Sequence, residues 1–265
     1  MNLTLTPGNA PLLVSIPHMG TEIPDMLRAQ YVPRAWDVED TDWHLDRLYD
    51  FVHELGASVL TPKVSRYVID LNRPPDDTPM YPGASNTELC PTRFFTGDAL
   101  YAGDAPAAAE QQRRRAEYWQ PYHDALAAEL ARIKARHGFA LLWDAHSIRS
   151  VIPWLFEGTL PDLNIGTADG ASAHESITAA VAQAARRATG ATVAVNGRFK
   201  GGYITRRYGR PADGVHAVQL EMCQKLYMSE AAPYEWREAQ ARAIQPVVRD
   251  MVAAALQAAQ ALHAR

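Results

Sequence analysis

Short, wholly apolar runs alternate along this chain with longer stretches in which apolar residues recur every three or four positions. Four of the runs end in polar or turn residues, at positions 12–16, 57–60, 139–143 and 215–220. An apolar run of that length without polar alternation is the pattern of a strand covered on both faces. Residues 66–71 and 192–195 are two further strand candidates. Between the runs the period becomes helical over 41–55, 107–137, 173–189 and 234–263. Gly56 and Gly138 directly follow two of these stretches, where a left-handed residue closes a helix. Strand alternating with helix predicts an α/β fold, a three-layer α/β/α sandwich on a mainly parallel sheet.

Two segments break the pattern. Residues 74–106 are rich in Pro, Gly, Asp and Thr, and 149–172 mix Pro, Gly and Asp with apolar residues. Loops of that length inside a domain are usually functional. The 265 residues suit a single domain over 1–265, since α/β units of this size can bury a core and still carry a cleft. Apolar residues at 47% and charged residues at 21% argue against disorder. A net charge of -4 gives no general attraction for polyanions, so nucleic acid is not an expected partner. Cys90 and Cys223 lack CxxC spacing, which disfavours a disulfide framework or a thiolate zinc site and suggests a reducing compartment. The first residues lack the basic and apolar regions of a secretory leader, and no window approaches the ~18 apolar residues of a membrane span. The expected setting is the cytoplasm.

In open parallel sheets ligands collect beyond the carboxyl ends of the strands. His18 and Glu22 follow the first apolar run, Asp144 and His146 the third, and Glu221 the last. Two histidines and several carboxylates at one sheet edge suit a catalytic divalent ion, Zn2+ or another, with a position left for water. Each residue also has a plainer reading. A lone histidine is usually a surface group or a bonded core residue; Asp144 either caps a helix or orients an imidazole. Glu221 either pairs with a structural cation or serves as general base. The carboxylate ligand is Asp42, at a helix start, or Glu22, four residues after His18.

A second set of residues suits anions. Arg66, Asn72 and Arg73 lie along and just past a strand candidate, where a guanidinium can grip a carboxylate or hold an oxyanion. Residues 196–209 place Arg198, Lys200, Arg206 and Arg207 among four glycines, whose backbone N–H groups could approach an anion. The plain alternative is a solvated basic hairpin. The P-loop order GxxxxGK[ST] is absent, Ser147 lacks a GxSxG elbow, and Cys90 reads as a loop hydrophobe or a thiol nucleophile. The other histidines, His44, His53, His123, His137, His174, His216 and His263, read as helical or structural.

The motifs PHMGTEIP, DTDWHLDRLY, SRYVIDLNRPPDD, LCPTRFF, DAHSIRSVIP, NGRFKGGYITRRYG and QLEM, in that order over about residues 11–230, resemble the N-formylglutamate amidohydrolase family. The resemblance implies a fold like the zinc carboxypeptidases and hydrolysis of N-formyl-L-glutamate to formate and L-glutamate, the last step of one route of histidine degradation. It carries over His18 and His146 as metal ligands, Asn72 and Arg73 as the DLNR pair, and Glu221 as the strand-end glutamate. Carboxypeptidase-like sites use HxxE, whereas this chain has HxxxE, so Asp42 of the DxD segment is preferred to Glu22. Glu221 is then the proton carrier and Arg73 assists the oxyanion. Arg66, Arg198, Lys200, Arg206 and Arg207 are candidates for the two carboxylates of a small dicarboxylic N-acyl amino acid. Two alternatives stay open: a deacylase for another acyl group, such as N-acetylaspartate or N-succinylglutamate, and an inactive carboxylate-binding module. A homo-oligomer is also left open.

Overall fold

The computed structural model describes residues 2–80, 86–188 and 190–264. Among the described residues seven strands, β1 (Leu3–Thr6), β2 (Leu12–Ser15), β3 (Ser58–Pro62), β4 (Ala140–Ile148), β5 (Leu163–Gly166), β6 (Val193–Val195) and β7 (Val215–Cys223), form one sheet in the order β1-β3-β2-β4-β7-β5-β6. β3, β2, β4 and β7 run parallel, β1 joins the edge antiparallel, and β5 pairs antiparallel with β7 and parallel with β6. The helices are α1 (Asp25–Arg28), α2 (Leu45–Leu48), α3 (Ala108–Arg114), α4 (Gln120–His137), α5 (Glu175–Ala185), α6 (Tyr203–Tyr208) and α7 (Glu238–His263).

The apolar strand runs follow from burial on both faces. Leu12, Val14, Leu141, Trp143, Val218 and Leu220 pack with the apolar faces of α5 and α7, while Leu13, Leu142 and Ala217 pack with α4. Alternate side chains of one strand thus enter two cores, and the fold is an α/β/α sandwich. Gly138, at φ 82, closes α4 by donating its N–H to the Lys134 carbonyl at 2.8 Å. Among the described residues no helix is long and apolar enough to cross a membrane.

Several elements differ from the sequence expectation. Residues 66–71 are not a strand: the segment is buried throughout but turns, with Val68 N–H bonded to the Ser65 carbonyl and Asp70 N–H to the Leu89 carbonyl. An apolar run reports burial, and here the cover comes from loops rather than from sheet neighbours. The stretch 41–55 is broken, because His44 sits at φ 59 ahead of α2 and a 3-10 turn, Asp50–Val52, follows. α3 and α4 are continuous through one π-helical turn, Arg115–Trp119. Inside the expected loop 149–172 lies β5, and inside the glycine-rich 196–209 lies α6. Residues 81–85 of the segment 74–106, and Thr189 at the end of the expected helix 173–189, lie outside the described residues. β4 and β7 extend beyond their apolar runs, so that Asp144, His146 and Glu221 stand within strands, His146 in register with Glu221.

Candidate active site

Three donors meet at the carboxyl edge of the parallel strands. Beyond β2 the chain turns at Pro17 and presents His18, and β4 presents His146. Asp42 is held between them by its backbone N–H on the His18 carbonyl at 3.0 Å and by the Ser147 N–H on its Oδ2 at 3.1 Å. His146 Nδ1 lies 3.2 Å from His18 Nδ1 and 3.4 Å from Asp42 Oδ2, and His18 Nδ1 lies 3.8 Å from the same oxygen. Ligand atoms at ~2.0–2.2 Å around a tetrahedral ion stand roughly 3.3–3.6 Å apart, so this buried triangle could hold a divalent metal ion. Glu22 is not part of it: it is exposed, bridges Val64 through its backbone, and lines a separate surface depression with Asp25 and Arg28. Gly20, whose Cβ would stand 2.1 Å from the Val64 carbonyl oxygen, lets the chain leave the site against that backbone before Glu22 is reached.

A carboxylate stands behind each imidazole. Asp70 Oδ1 accepts from His18 Nε2 at 2.7 Å and from the Asn72 N–H at 2.8 Å, while its Oδ2 accepts from Arg66 at 2.7 Å. That proton placement leaves His18 Nδ1 as the lone-pair nitrogen facing the triangle. Burial, reinforced by Arg66, lowers the pKa of His18 despite Asp70 and Asp42. Burial would raise the Asp70 pKa, but His18, Arg73 and Arg66 together hold it well below the usual carboxylate range. Behind His146, Asp144 Oδ1 lies 3.1 Å from Nε2. Burial disfavours a charged His146, yet Asp144, Asp42 and Glu221 outweigh it and raise its pKa well above 6.5.

Glu221 faces the same cleft from the strand next to His146. Burial, with Asp42 and Asp144 adding to it against His146 and Arg66, pushes its carboxyl pKa up to about 8. A carboxyl that gains and loses a proton near neutrality is suited to acid–base work.

The cleft has about 600 Å³ of space, counting what opens to solvent at its mouth. Arg66, Asn72, Arg73 and Arg198 line it. Arg66 is held by Asp70 and stacks over the Phe95 ring at 4.7 Å; Arg73 donates through Nε to the Thr87 carbonyl at 2.9 Å; Arg198 donates to the Leu155 carbonyl at 3.0 Å. The structure does not bring Lys200, Arg206 and Arg207 into the lining. Lys200 pairs with Asp169 at 3.1 Å, and Arg206 and Arg207 occupy the exposed face of α6, whose Ile204 and Thr205 point inward. Three N–H groups at the end of the glycine-rich segment are engaged within the protein. Gly202 N–H donates to Gln219 Oε1 at 2.7 Å, Tyr203 N–H to the Asn72 carbonyl at 3.4 Å, and Ile204 N–H to Asn72 Oδ1 at 2.8 Å. Asn72 therefore braces the site, with its Nδ2 3.0 Å from His146 Nε2.

Sequence reasoning gave no role to Asp70, Gln219 or the apolar wall of Phe95, Ile148, Leu155 and Phe199. The signal for Asp70 lay in plain view, two residues before Asn72, but its partner is 52 residues away. Cys90 is a buried hydrophobe, its thiol pushed by burial to about 12. His216 and His263 meet at 2.9 Å near the start of β7, at the opposite end of the sheet from Glu221.

Fold and site thus define an α/β/α protein with a His-His-Asp donor set facing a buried glutamate at the carboxyl edge of parallel strands. The chain belongs to the N-formylglutamate amidohydrolase family, whose model matches residues 10–228. It is 51% identical to an N-formylglutamate deformylase of Pseudomonas aeruginosa over 251 residues, 94% of each chain. A deformylase of the same name from Pseudomonas putida is 48% identical over 96% of this chain and 95% of its own length. The crystal structure of N-formylglutamate amidohydrolase from Ralstonia eutropha superposes with a TM-score of 0.80 at 28% identity, covering 99% of this chain and 98% of that one. A protein of Agrobacterium tumefaciens shares the fold, with a TM-score of 0.73 at 19% identity over 97% of this chain and 95% of its own.

Proposed function

We propose that this chain hydrolyses N-formyl-L-glutamate to formate and L-glutamate, with zinc held by His18, Asp42 and His146. The observation that carries the hydrolytic reading is the three-donor triangle sharing one cleft with the raised-pKa carboxyl of Glu221. The choice of substrate rests on the two relatives named as N-formylglutamate deformylases. Zinc, when bound, supplies Lewis acidity that polarises the formyl carbonyl and makes water acidic enough to ionise near neutral pH.

Glu221 accepts a proton from the attacking water and returns it to the departing amine nitrogen, without which an amide C–N bond does not break readily. Arg73 and Arg198 offer guanidinium groups at the cleft wall for the two carboxylates, and Arg73 serves also as partner for the oxygen on which charge builds. Asp70, bonded to His18 Nε2, keeps that imidazole turned with its Nδ1 inward, and the Asp144 carboxylate stands beside Nε2 of His146. The wall of Phe95, Ile148, Leu155 and Phe199 keeps bulk water from the reacting carbon. We take residues 1–265 as one amidohydrolase domain acting in the cytoplasm at the close of histidine degradation.

The test measures formate from N-formyl-L-glutamate beside acetate from N-acetyl-L-aspartate and succinate from N-succinyl-L-glutamate, with the metal content of the same sample. Formate release by the zinc-loaded protein, lost on chelation, is expected. Faster release of acetate or succinate would move the chain to another deacylase. Binding of the substrate without turnover would make it a carboxylate-binding module.

A further inference from the structure

α6 has six residues, too few to be stable alone given the cost of nucleating a helix. It has no side-chain cap of its own. Gln219 and Asn72 supply the acceptors for the N–H groups of Gly202, Tyr203 and Ile204, so the helix exists by being docked on the sheet edge. Its contacts converge on the outer nitrogen of a metal-site histidine. Thr205 Oγ1 donates to Asp144 Oδ2 at 3.1 Å, Asp144 Oδ1 lies 3.1 Å from His146 Nε2, and the Asn72 amide lies 3.0 Å from that same nitrogen. Asp144 is fully buried, and among the described residues its Oδ1 makes no hydrogen bond of good geometry. An imidazole that gives its Nδ1 lone pair to an ion must carry its proton on Nε2; Asn72 Nδ2 is itself a donor, so of the two groups beside that nitrogen only Asp144 Oδ1 can accept the proton. Thr205 fixes the other oxygen and with it the rotation of the carboxylate. Gly202 completes the contact from the far side. Its φ of -81° suits any residue, but a Cβ there would stand 2.3 Å from Asn72 Nδ2.

We infer that Thr205 and Gly202 are positioning residues for the metal centre: Thr205 fixes the Asp144 carboxylate beside His146 Nε2, and Gly202 lets α6 dock closely enough on Asn72 for Thr205 to reach it. The inference rests on the metal reading given above. Neither residue is a metal ligand, and Thr205 does not line the cleft. The same helix starts at the end of the loop that carries Arg198, so the substrate wall and the metal-binding imidazole share one strut.

The experiment compares wild type with Thr205→Val, which keeps the shape and removes the hydroxyl, Thr205→Ser, which keeps the hydroxyl, and Gly202→Ala. Zinc affinity is read by competition with a chromophoric chelator, and Tm is read on the metal-free proteins. Loss of groups behind a metal ligand costs roughly 10- to 100-fold in metal affinity. Thr205→Val is expected to bind zinc about tenfold more weakly, at the lower end of that range, with Thr205→Ser restoring most of the loss. Gly202→Ala is expected to weaken zinc binding in the same direction. A purely structural role would lower the metal-free Tm of the variants without separating Val from Ser in zinc affinity. Wild-type affinity in Thr205→Val, or in Gly202→Ala if the valine variant does not fold, overturns the inference while leaving the metal site standing. A wild-type protein that takes up no divalent ion overturns both.

Discussion

Replacing Asp70 by Asn tests the bracing of the site directly, because the side chain keeps its size and loses only its charge and one acceptor. Asp70 is fully buried and serves three donors: His18 Nε2 and the Asn72 N–H on Oδ1, and the Arg66 guanidinium on Oδ2. The amide can keep its oxygen on His18 and Asn72. Its NH₂ then meets the Arg66 NH₂ group that now lies 2.7 Å from Oδ2, so two donors face one another around a buried cation. Breaking a buried pair by removing one partner costs about 3–5 kcal/mol. Arg66 retains Asp42 Oδ1 at 3.8 Å, which places the cost at the lower end, near 3 kcal/mol. For a chain of this size each kcal/mol lowers Tm by roughly 2–4 °C, so the metal-free variant should melt about 6–12 °C below wild type. His18 loses its charged partner as well, and zinc affinity should fall about tenfold. Thermal unfolding of metal-free protein and chelator competition read the two effects separately. A Tm within about 2 °C of wild type would refute the energetic argument, since it would mean that Arg66 sheds its charge imbalance without cost.

Glu221→Gln should lower kcat at least about 100-fold and leave zinc stoichiometry unchanged, and near-normal turnover would remove Glu221 from the proton path. Arg198→Ala should raise KM for N-formyl-L-glutamate about tenfold, whereas Arg207→Ala on the exposed face of α6 should change kcat/KM less than about twofold. The reverse ranking would return the outer arginines to the site. His123 supplies the pH prediction. It is buried, with Nε2 on the Leu71 carbonyl and Nδ1 on the Tyr208 hydroxyl, and burial lowers its pKa to about 4. The unfolded chain therefore takes up this proton first on acidification. Stability is intact above about pH 6.5 and falls toward pH 4 by about 1.4 kcal/mol per pH unit from this group. Urea midpoints should show His123→Gln with a shallower pH dependence over that window; equal slopes would show that His123 titrates normally in the fold.

Burial and period are local properties, and the elements that depend on them could be read from the residue order. The runs that became β2, β4 and β7 are apolar because both faces of a central parallel sheet are covered, and the long helical periods became α4 and α7. The same pattern placed His18, His146 and Glu221 just past the apolar runs, since polar residues break such a run where the chain meets solvent or a cleft, while the fold carries β4 and β7 on through His146 and Glu221. Residues 66–71 show the limit. Their apolar character is the same whether a neighbouring strand or a folded-over loop provides the cover, and only the fold decided for the loop. β5 and α6 were hidden for a related reason, as each is short and exists through partners elsewhere in the chain.

The chemistry of the site divides along the same line. Residue types pointed to metal-and-carboxylate chemistry, but that Asp42 rather than Glu22 stands with the two histidines depends on where each carboxylate lies in the fold. His146 reaches His18 across 128 residues, Ser147 reaches Asp42 across 105, and Asn72 reaches His146 across 74. Of the arginines, Arg66, Arg73 and Arg198 line the cleft with their guanidinium groups bonded to its wall, and those on the outer face of α6 turn to water. A sequence states what each side chain can do, while a distance of three ångströms between residues a hundred positions apart is set by packing of the whole chain, which no local pattern encodes.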